Sequence, residues 1–286
     1  VKVEMHGELN IRPLRCGHCG AELPVMGQLV TFRCPACHNY WVLATDGLEP
    51  IFVYRAVPDD ADAQATVGEE LMLPFWLAEI DGAELCSRIE GALRELRDTT
   101  QKILTTEIPA LEPAEALLAI APRRDDLPDE GLARARFLGE ASGVRKLPPS
   151  SEIGYLVHRL ESMGKLNVYV PAFRSPNTYA YLKVGRLLTR LQPSFRIVRS
   201  DGDGRPILCA LQADEALALV DFIFLATLPA SIQTSGDFLE KIHLEPTKPP
   251  RLVEFPFRQR GASLVSTIGG FWISGRLVDN VGSLLV

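Results

Sequence analysis

The sequence predicts an α+β protein: a small all-β segment at the N terminus, then a larger, mixed and largely antiparallel α+β body. Three observations lead there. Four of the six cysteines fall within residues 16–37, in a stretch too small to bury a core of its own. Beyond it, strand-like and amphipathic helical runs succeed one another without the regular βα alternation of a doubly wound sheet. The composition, 47% hydrophobic and 23% charged over 286 residues, is that of an ordinary globular chain with room for one large domain or two small ones.

The N-terminal segment carries the clearest chemistry. Cys16-Gly17-His18-Cys19 and Cys34-Pro35-Ala36-Cys37 are two Cys-x-x-Cys pairs fourteen residues apart. Each turn aims two sulfurs at one point, and two such turns complete a tetrahedron of thiolates, the geometry Zn²⁺ accepts at about 2.3 Å. Gly17 and Gly20 permit the tight backbone of a metal knuckle, and Pro35 stiffens the second turn. Residues 29–33 alternate apolar and polar, as a half-buried strand does, and residues 40–43 (Tyr-Trp-Val-Leu) are rich in strand formers. Knuckle, strand, knuckle, strand resembles a zinc ribbon over about residues 11–46. The resemblance implies that Cys16, Cys19, Cys34 and Cys37 ligate one structural Zn²⁺. His38 departs from the pattern, standing where such knuckles often carry glycine. Iron in a rubredoxin-like site would use the same ligands, whereas a redox Cys-x-x-Cys would stand singly at a helix start. Four thiolates fill the shell, so His18 and His38 are expected as exposed loop residues. With no coordination position open to substrate, the metal organises structure and hydrolytic zinc chemistry is disfavoured.

Residues 50–57 read as a strand, 58–69 as an acidic loop or short helix, and 71–80 as a strand whose Pro74 marks an edge or a bulge. From residue 83 to 106, Leu85, Ile89, Leu93, Leu96 and Ile103 line one helical face, and Arg88, Glu90, Arg94, Glu95 and Arg97 the other. A short helix is expected at 113–120, an exposed charged loop at 122–130 and a further helix within 131–150. Next come a helix near Ser151 stopped by Gly164, a strand at 166–170 and an amphipathic helix at 177–191 with Tyr181, Val184, Leu187, Leu188 and Leu191 inward. The turn Asp201-Gly202-Asp203-Gly204 predicts a hairpin between 195–199 and 206–211. Its spacing fails as a calcium loop, because position five is Arg205 and position twelve Gln212. The most apolar window, 216–230, is too short to span a bilayer and is interrupted by Asp221, so it reads as a buried helix. A β-meander over 251–258, 262–267 and 270–278 closes the chain. In domain terms, 1–48 is the ribbon, 49–150 strands plus a helical, partly exposed insert, and 151–286 an α+β continuation of the same body.

A Pro-aromatic signature recurs in MLPFW (72–76), YVPAF (169–173) and EFPFR (254–258). It either marks related strands that kink at one place or arises by chance. The ribbon followed by PFW and VPAF also resembles a group of bacterial zinc-ribbon proteins, a resemblance that implies no reaction.

Charge and motifs narrow the function. A formal charge of −6 counts against a dedicated nucleic-acid binder. Seven of the thirty basic side chains are lysine, which reads as the coding bias of a GC-rich, bacterial genome. The best basic patch is Arg174, Lys183, Arg186, Arg190, Arg196 and Arg199, a solvated helix face or a surface for phosphates or an acidic protein. Tyr40 and Trp41 would either stack on bases or pack inward, and at least one is expected inside. No phosphate loop, dinucleotide fingerprint, HExxH or GxSxG occurs. His158 reads as a surface histidine, Asp221 as a partly buried carboxylate with a structural partner, and Cys86 and Cys209 as space-filling thiols. Residues 1–15 hold no apolar run of signal length, and the cysteine usage suits a reducing cytoplasm. The sequence therefore points first to a non-enzymatic zinc-binding adaptor or scaffold subunit with protein partners, and second to a nucleic-acid-associated factor using the ribbon and the arginine-rich face.

Overall fold

A computed structural model describes residues 13–24, 29–44, 47–59, 70–106, 148–175, 178–200, 205–206, 209–233 and 235–278. The expected elements at 113–120 and 122–130, most of the acidic stretch 58–69 and of the helix within 131–150, and the side chains of Ile103 and Tyr181 lie outside them. The fold is α+β. A three-stranded antiparallel sheet holds β1 (Thr31–Arg33), β2 (Tyr40–Ala44) and β3 (Gly47–Ile51) in that order. Then come β4 (Val53–Val57), β5 (Leu71–Asp81), α1 (Gly82–Thr106), α2 (Ser150–Met163), β6 (Lys165–Pro171), α3 (Thr178–Leu191), β7 (Arg196–Arg199), β8 (Arg205–Pro206) and α4 (Ala213–Leu225). Two single-turn helices, α5 (Ala230–Gln233) and α6 (Gly236–Leu239), lead into the meander β9 (Arg251–Arg260), β10 (Ser263–Ser266) and β11 (Trp272–Ser274).

The second sheet is mixed and has β5 and β9 at its centre. They pair antiparallel from Leu71↔Phe257 to Leu77↔Arg251. On the far side of β9 lie β4, parallel, and then β10; on the far side of β5 lie β8, parallel, and then β6. Side chains alternate between two cores. Leu71, Leu73, Phe75, Leu77, Val253, Phe255 and Phe257 join Val184 and Leu188 of α3, while Trp76, Ala78, Ile80 and Leu252 join residues of α1, α2 and α4 on the other face. A strand covered on both faces is apolar throughout, which is why residues 71–78 read as a continuous run.

Pro74 is not at an edge. The structure shows why a central strand tolerates it. In a strand, the N and C=O of one residue point to the same side. The Pro74 carbonyl accepts from the Ala172 N–H at 3.0 Å, so its nitrogen faces away from β9, into the gap where β8 ends at Met72 and β6 begins opposite Phe75. Pro256 repeats the device. Its carbonyl accepts from Thr267 N–H at 3.1 Å, in the gap between β4, which ends opposite Glu254, and β10, which begins opposite Phe257. Pro171 ends β6 opposite Phe75. The three Pro-aromatic stretches thus lie side by side in β9, β5 and β6, with prolines placed where no ladder partner exists.

The two strands expected to form a hairpin at 195–211 do not pair with each other in their described parts; the turn 201–204 and residues 207–208 lie outside the described residues. Among the described residues β7 pairs with β4 and β8 with β5, so β4, β9 and β5 stand between them. Burial chose the partners: Ile197 packs beside Tyr54 and Ala56 of β4 in the α3-side core, which a two-stranded ribbon would not provide. The C-terminal meander forms as expected. Gly185 of α3 lies so near β6 that a side chain would meet the Tyr169 carbonyl at 2.5 Å. Asp81 caps α1, its Oδ1 accepting from the N–H groups of Ala83 and Glu84 at 2.8 and 3.0 Å. The helix expected to be buried, α4, exposes Phe222 and Leu217.

Replacing Pro74 by alanine restores a buried N–H facing the Ala172 carbonyl, which already accepts from the Ala210 N–H at 2.6 Å. The Pro74→Ala variant is expected to lose about 1–3 kcal/mol, read as a lower denaturant midpoint at unchanged slope.

Candidate metal centre

The two knuckles are built alike. Gly20 donates its N–H to the Cys16 carbonyl at 2.8 Å with φ 75°, and His38 donates to the Cys34 carbonyl at 2.9 Å with φ 59°. His38 therefore occupies the left-handed position that Gly20 occupies in the first knuckle, at a steric cost glycine does not carry. The four Sγ atoms of Cys16, Cys19, Cys34 and Cys37 lie within 4.8 Å of one another, with Cys16–Cys37 and Cys19–Cys34 each at 3.5 Å. A tetrahedral zinc tetrathiolate has sulfur–sulfur edges of about 3.8 Å, so the donors present fit such an ion. Trp41 packs beneath with Leu23 and Phe32, and a side chain at Gly17 would meet its ring at 2.6 Å.

The thiols are electrostatically divided. Burial raises the Cys16 thiol, but the backbone N–H groups of Cys19 and His18 and the thiols of Cys37 and Cys19 outweigh it and bring it down to about 6. Cys34 is lowered too, chiefly by the N–H of Cys37. The N–H of Ala21 pulls Cys19 down, yet the Cys34 thiol, burial and the other two thiols push it up to about 12. Cys37 has the Asn39 N–H pulling down, but burial and the Cys16 and Cys34 thiols raise it. Four sulfurs this close cannot all ionise unaided, and a divalent cation among them would favour the thiolate at each.

This module is stitched to the body. Val30 and Thr31 donate their N–H groups to the Cys209 carbonyl at 2.9 and 3.3 Å, and Cys209 N–H returns a bond to Thr31 Oγ1 at 2.9 Å. Gln212 Nε2 donates to the Leu43 carbonyl at 3.3 Å. Tyr40 enters the body's core, and its hydroxyl reaches Glu254 Oε1 at 3.4 Å, while Ser200 Oγ donates to Oε2 at 2.9 Å. Glu254 is only 3% exposed. Burial lifts its carboxyl to about 7, against the bonds from Ser200 and Tyr40 and the charges of Arg33 and Arg55. Sequence reasoning missed this seam, although a lone carboxylate inside the apolar run 252–257 was a signal.

Other singled-out residues fall as follows. His18 and His38 are exposed on the knuckles. Tyr40 and Trp41 are both buried, which removes them as base-stacking platforms. Arg174, Lys183, Arg186, Arg190, Arg196 and Arg199 are all exposed, on or beside α3 and β7, with the Arg199 guanidinium 4.7 Å above the Phe52 ring. His158 is exposed on α2. Asp221 accepts from Leu244 N–H at 2.8 Å and meets His243 Nδ1 at 3.2 Å, so its structural partners are a backbone amide and an imidazole. Cys86 and Cys209 are buried, and burial raises the Cys209 thiol to about 12. Among the described residues no helix is long and apolar enough to cross a membrane. Comparison with protein families, with characterised proteins and with solved structures finds no match.

Two outcomes follow from this geometry. His38→Gly is expected to keep the four-thiol site and to raise stability by up to about 1 kcal/mol, read as a higher thermal midpoint of the metal-loaded protein. For Glu254, the folded-state pKa lies above the ordinary carboxylate value of 4.5, so the folded chain binds the extra proton. Stability then falls as pH rises from about 4.5 to about 7, by at most roughly 3 kcal/mol. Glu254→Gln is expected to unfold like the parent at pH 5 and to be the more stable of the two at pH 8.

Proposed function

We propose that the chain is a non-enzymatic, zinc-binding adaptor or scaffold subunit of a bacterial cytoplasmic protein assembly. Cys16, Cys19, Cys34 and Cys37 would hold one Zn²⁺, which acts as a structural cross-link. The observation that supports this most is the convergence of four thiols in a segment sewn to the body by backbone hydrogen bonds. Four protein sulfurs complete a tetrahedral shell, so the ion's free energy goes into ordering the module and its seam. Zinc is preferred over iron because it needs no redox partner to fill a purely structural place.

A nucleic-acid-associated role is the second reading, supported by the exposure of all six basic residues of the patch. A mobility assay over a salt series tests it, since neutralised phosphates impose a steep salt dependence.

For the leading reading, elemental analysis of the purified protein is expected to find one zinc per chain. Cys34→Ser is expected to lose the ion and to expose the Val30, Thr31 and Cys209 amides to hydrogen exchange before the β5–β9 amides open. Affinity purification of the parent is expected to recover a stoichiometric protein partner, and a metal-free, partnerless monomer would overturn the proposal.

A further inference from the structure

The sheet treats its β6 and β7 edges differently. The outer edge of β6 is closed by side chains of α3 and the residue after it. Tyr169 N–H donates to Thr189 Oγ1 at 3.0 Å. Gln192, held at φ 45°, accepts from Asn167 N–H at 3.0 Å and donates to the Asn167 carbonyl at 2.6 Å, doing with its amide what a neighbouring strand would do. The edge at β7 has no such cover among the described residues. Ser200 N–H bonds to the Val53 carbonyl at 2.9 Å, and by alternation Val198 and Arg196 also face β4. The N–H and C=O groups of Ile197 and Arg199 therefore point outward, and no described residue meets them.

The side chains along this edge have a sign. Arg196 and Arg199 are exposed, and Val198 is 41% exposed between them. Short, charged strands discourage self-pairing. Two arginines repel a second copy of the same edge but attract an acidic strand, so one feature both rejects the homotypic partner and selects another. At its Ser200 end the edge opens into a groove of about 460 Å³ between the knuckles and the body. Phe52, 60% exposed beneath the Arg199 guanidinium, forms an apolar pad there, and among the described residues no acidic side chain lines the groove.

We propose that β7 is a docking edge for an extended acidic segment of a protein partner, which adds as a strand against Ile197 and Arg199, sets carboxylates on Arg196 and Arg199, and lays one apolar residue on Phe52. Arg196 and Arg199, three residues apart on the strand, face opposite sides, so the two carboxylates alternate along the added strand, and the apolar residue meets Phe52 at the groove's rim, away from Cys37. This deepens the adaptor reading and rests on it. The mode is β-strand addition, in which backbone bonds give affinity and alternate side chains give specificity.

The test selects a displayed library of random nine-residue peptides on the zinc-loaded full chain. Enrichment in Asp and Glu with one apolar residue is expected. The best synthetic peptide should weaken at least ten-fold on Arg199→Pro, which removes the outward N–H and the charge without touching a β4 bond, and on Arg196→Glu, at unchanged zinc content and thermal midpoint. Should Arg199→Pro fail to fold, Arg199→Gln and Phe52→Ala carry the same comparison. No enrichment, enrichment without acids, undiminished binding to the variants, or displacement of the peptide by a tighter-binding oligothymidylate would each overturn the assignment. Affinity purification separates the two proposals: a partner retained equally by parent and Arg196→Glu leaves the adaptor reading standing and removes this edge. Peptide binding at the edge with no cellular partner does the reverse.

Discussion

A strand buried on both faces has no water to satisfy its backbone, so each N–H and C=O of β5 and β9 must meet a neighbouring chain or be absent. That requirement organises the body. The shared β5–β9 ladder meets half the demand. The outer sides are met piecewise, by β8 and then β6 along β5, and by β4 and then β10 along β9. Where one partner gives way to the next, an N–H would be stranded, and there the chain places Pro74 and Pro256. Both cores, both edges and the attachment of the N-terminal module hang from this pair of strands.

The N-terminal module obeys a different economy. Its own core is Cys16, Leu23, Phe32, Cys34 and Trp41, with few further apolar neighbours. Burial of that little surface does not offset the ordering of its backbone. Sulfur would supply the remainder only if the four crowded thiols ionised together, which their mutual repulsion opposes. A divalent ion at their centre would remove that repulsion. The seam adds a second, weaker fastening in which Glu254 is carried inward at a cost in solvation that only hydroxyls and two neighbouring guanidinium charges offset.

Much of this was legible in the residues. The cysteine spacing named the cluster, the 3.6-residue pattern gave α1 and α3, and Gly164 marked the end of α2 at φ 65°. The recurrence of Pro beside an aromatic residue was visible, but not its meaning, because which side of a strand a proline nitrogen faces depends on partners far along the chain. The same long-range dependence set the partners of β7 and β8: a turn sequence states a local preference, while β4 offered Ile197 a buried place. Glu254 could be noticed as a charge in an apolar run, but its contact with Tyr40, 214 residues away, could not.

The two fastenings of the module are not independent. Thr31, which exchanges bonds with Cys209, lies three residues before Cys34. Tyr40, which reaches Glu254, lies three residues after Cys37. The second knuckle is thus bracketed by the residues that touch the body, and β1 and β2 bring them together in the register Arg33↔Tyr40 and Thr31↔Val42. An ion held at Cys34 and Cys37 fixes the length and twist of the turn joining those strands, and so fixes how Thr31 and Tyr40 meet Cys209 and Glu254 at once. Loss of the ion would release the register before any buried side chain in the body moved. The groove lies between the knuckles on one wall and Phe52, Arg199 and Ser200 on the other. Its width is therefore set by the same turn, and an ion held by the four thiols, meeting no ligand itself, would still govern the shape that a partner encounters.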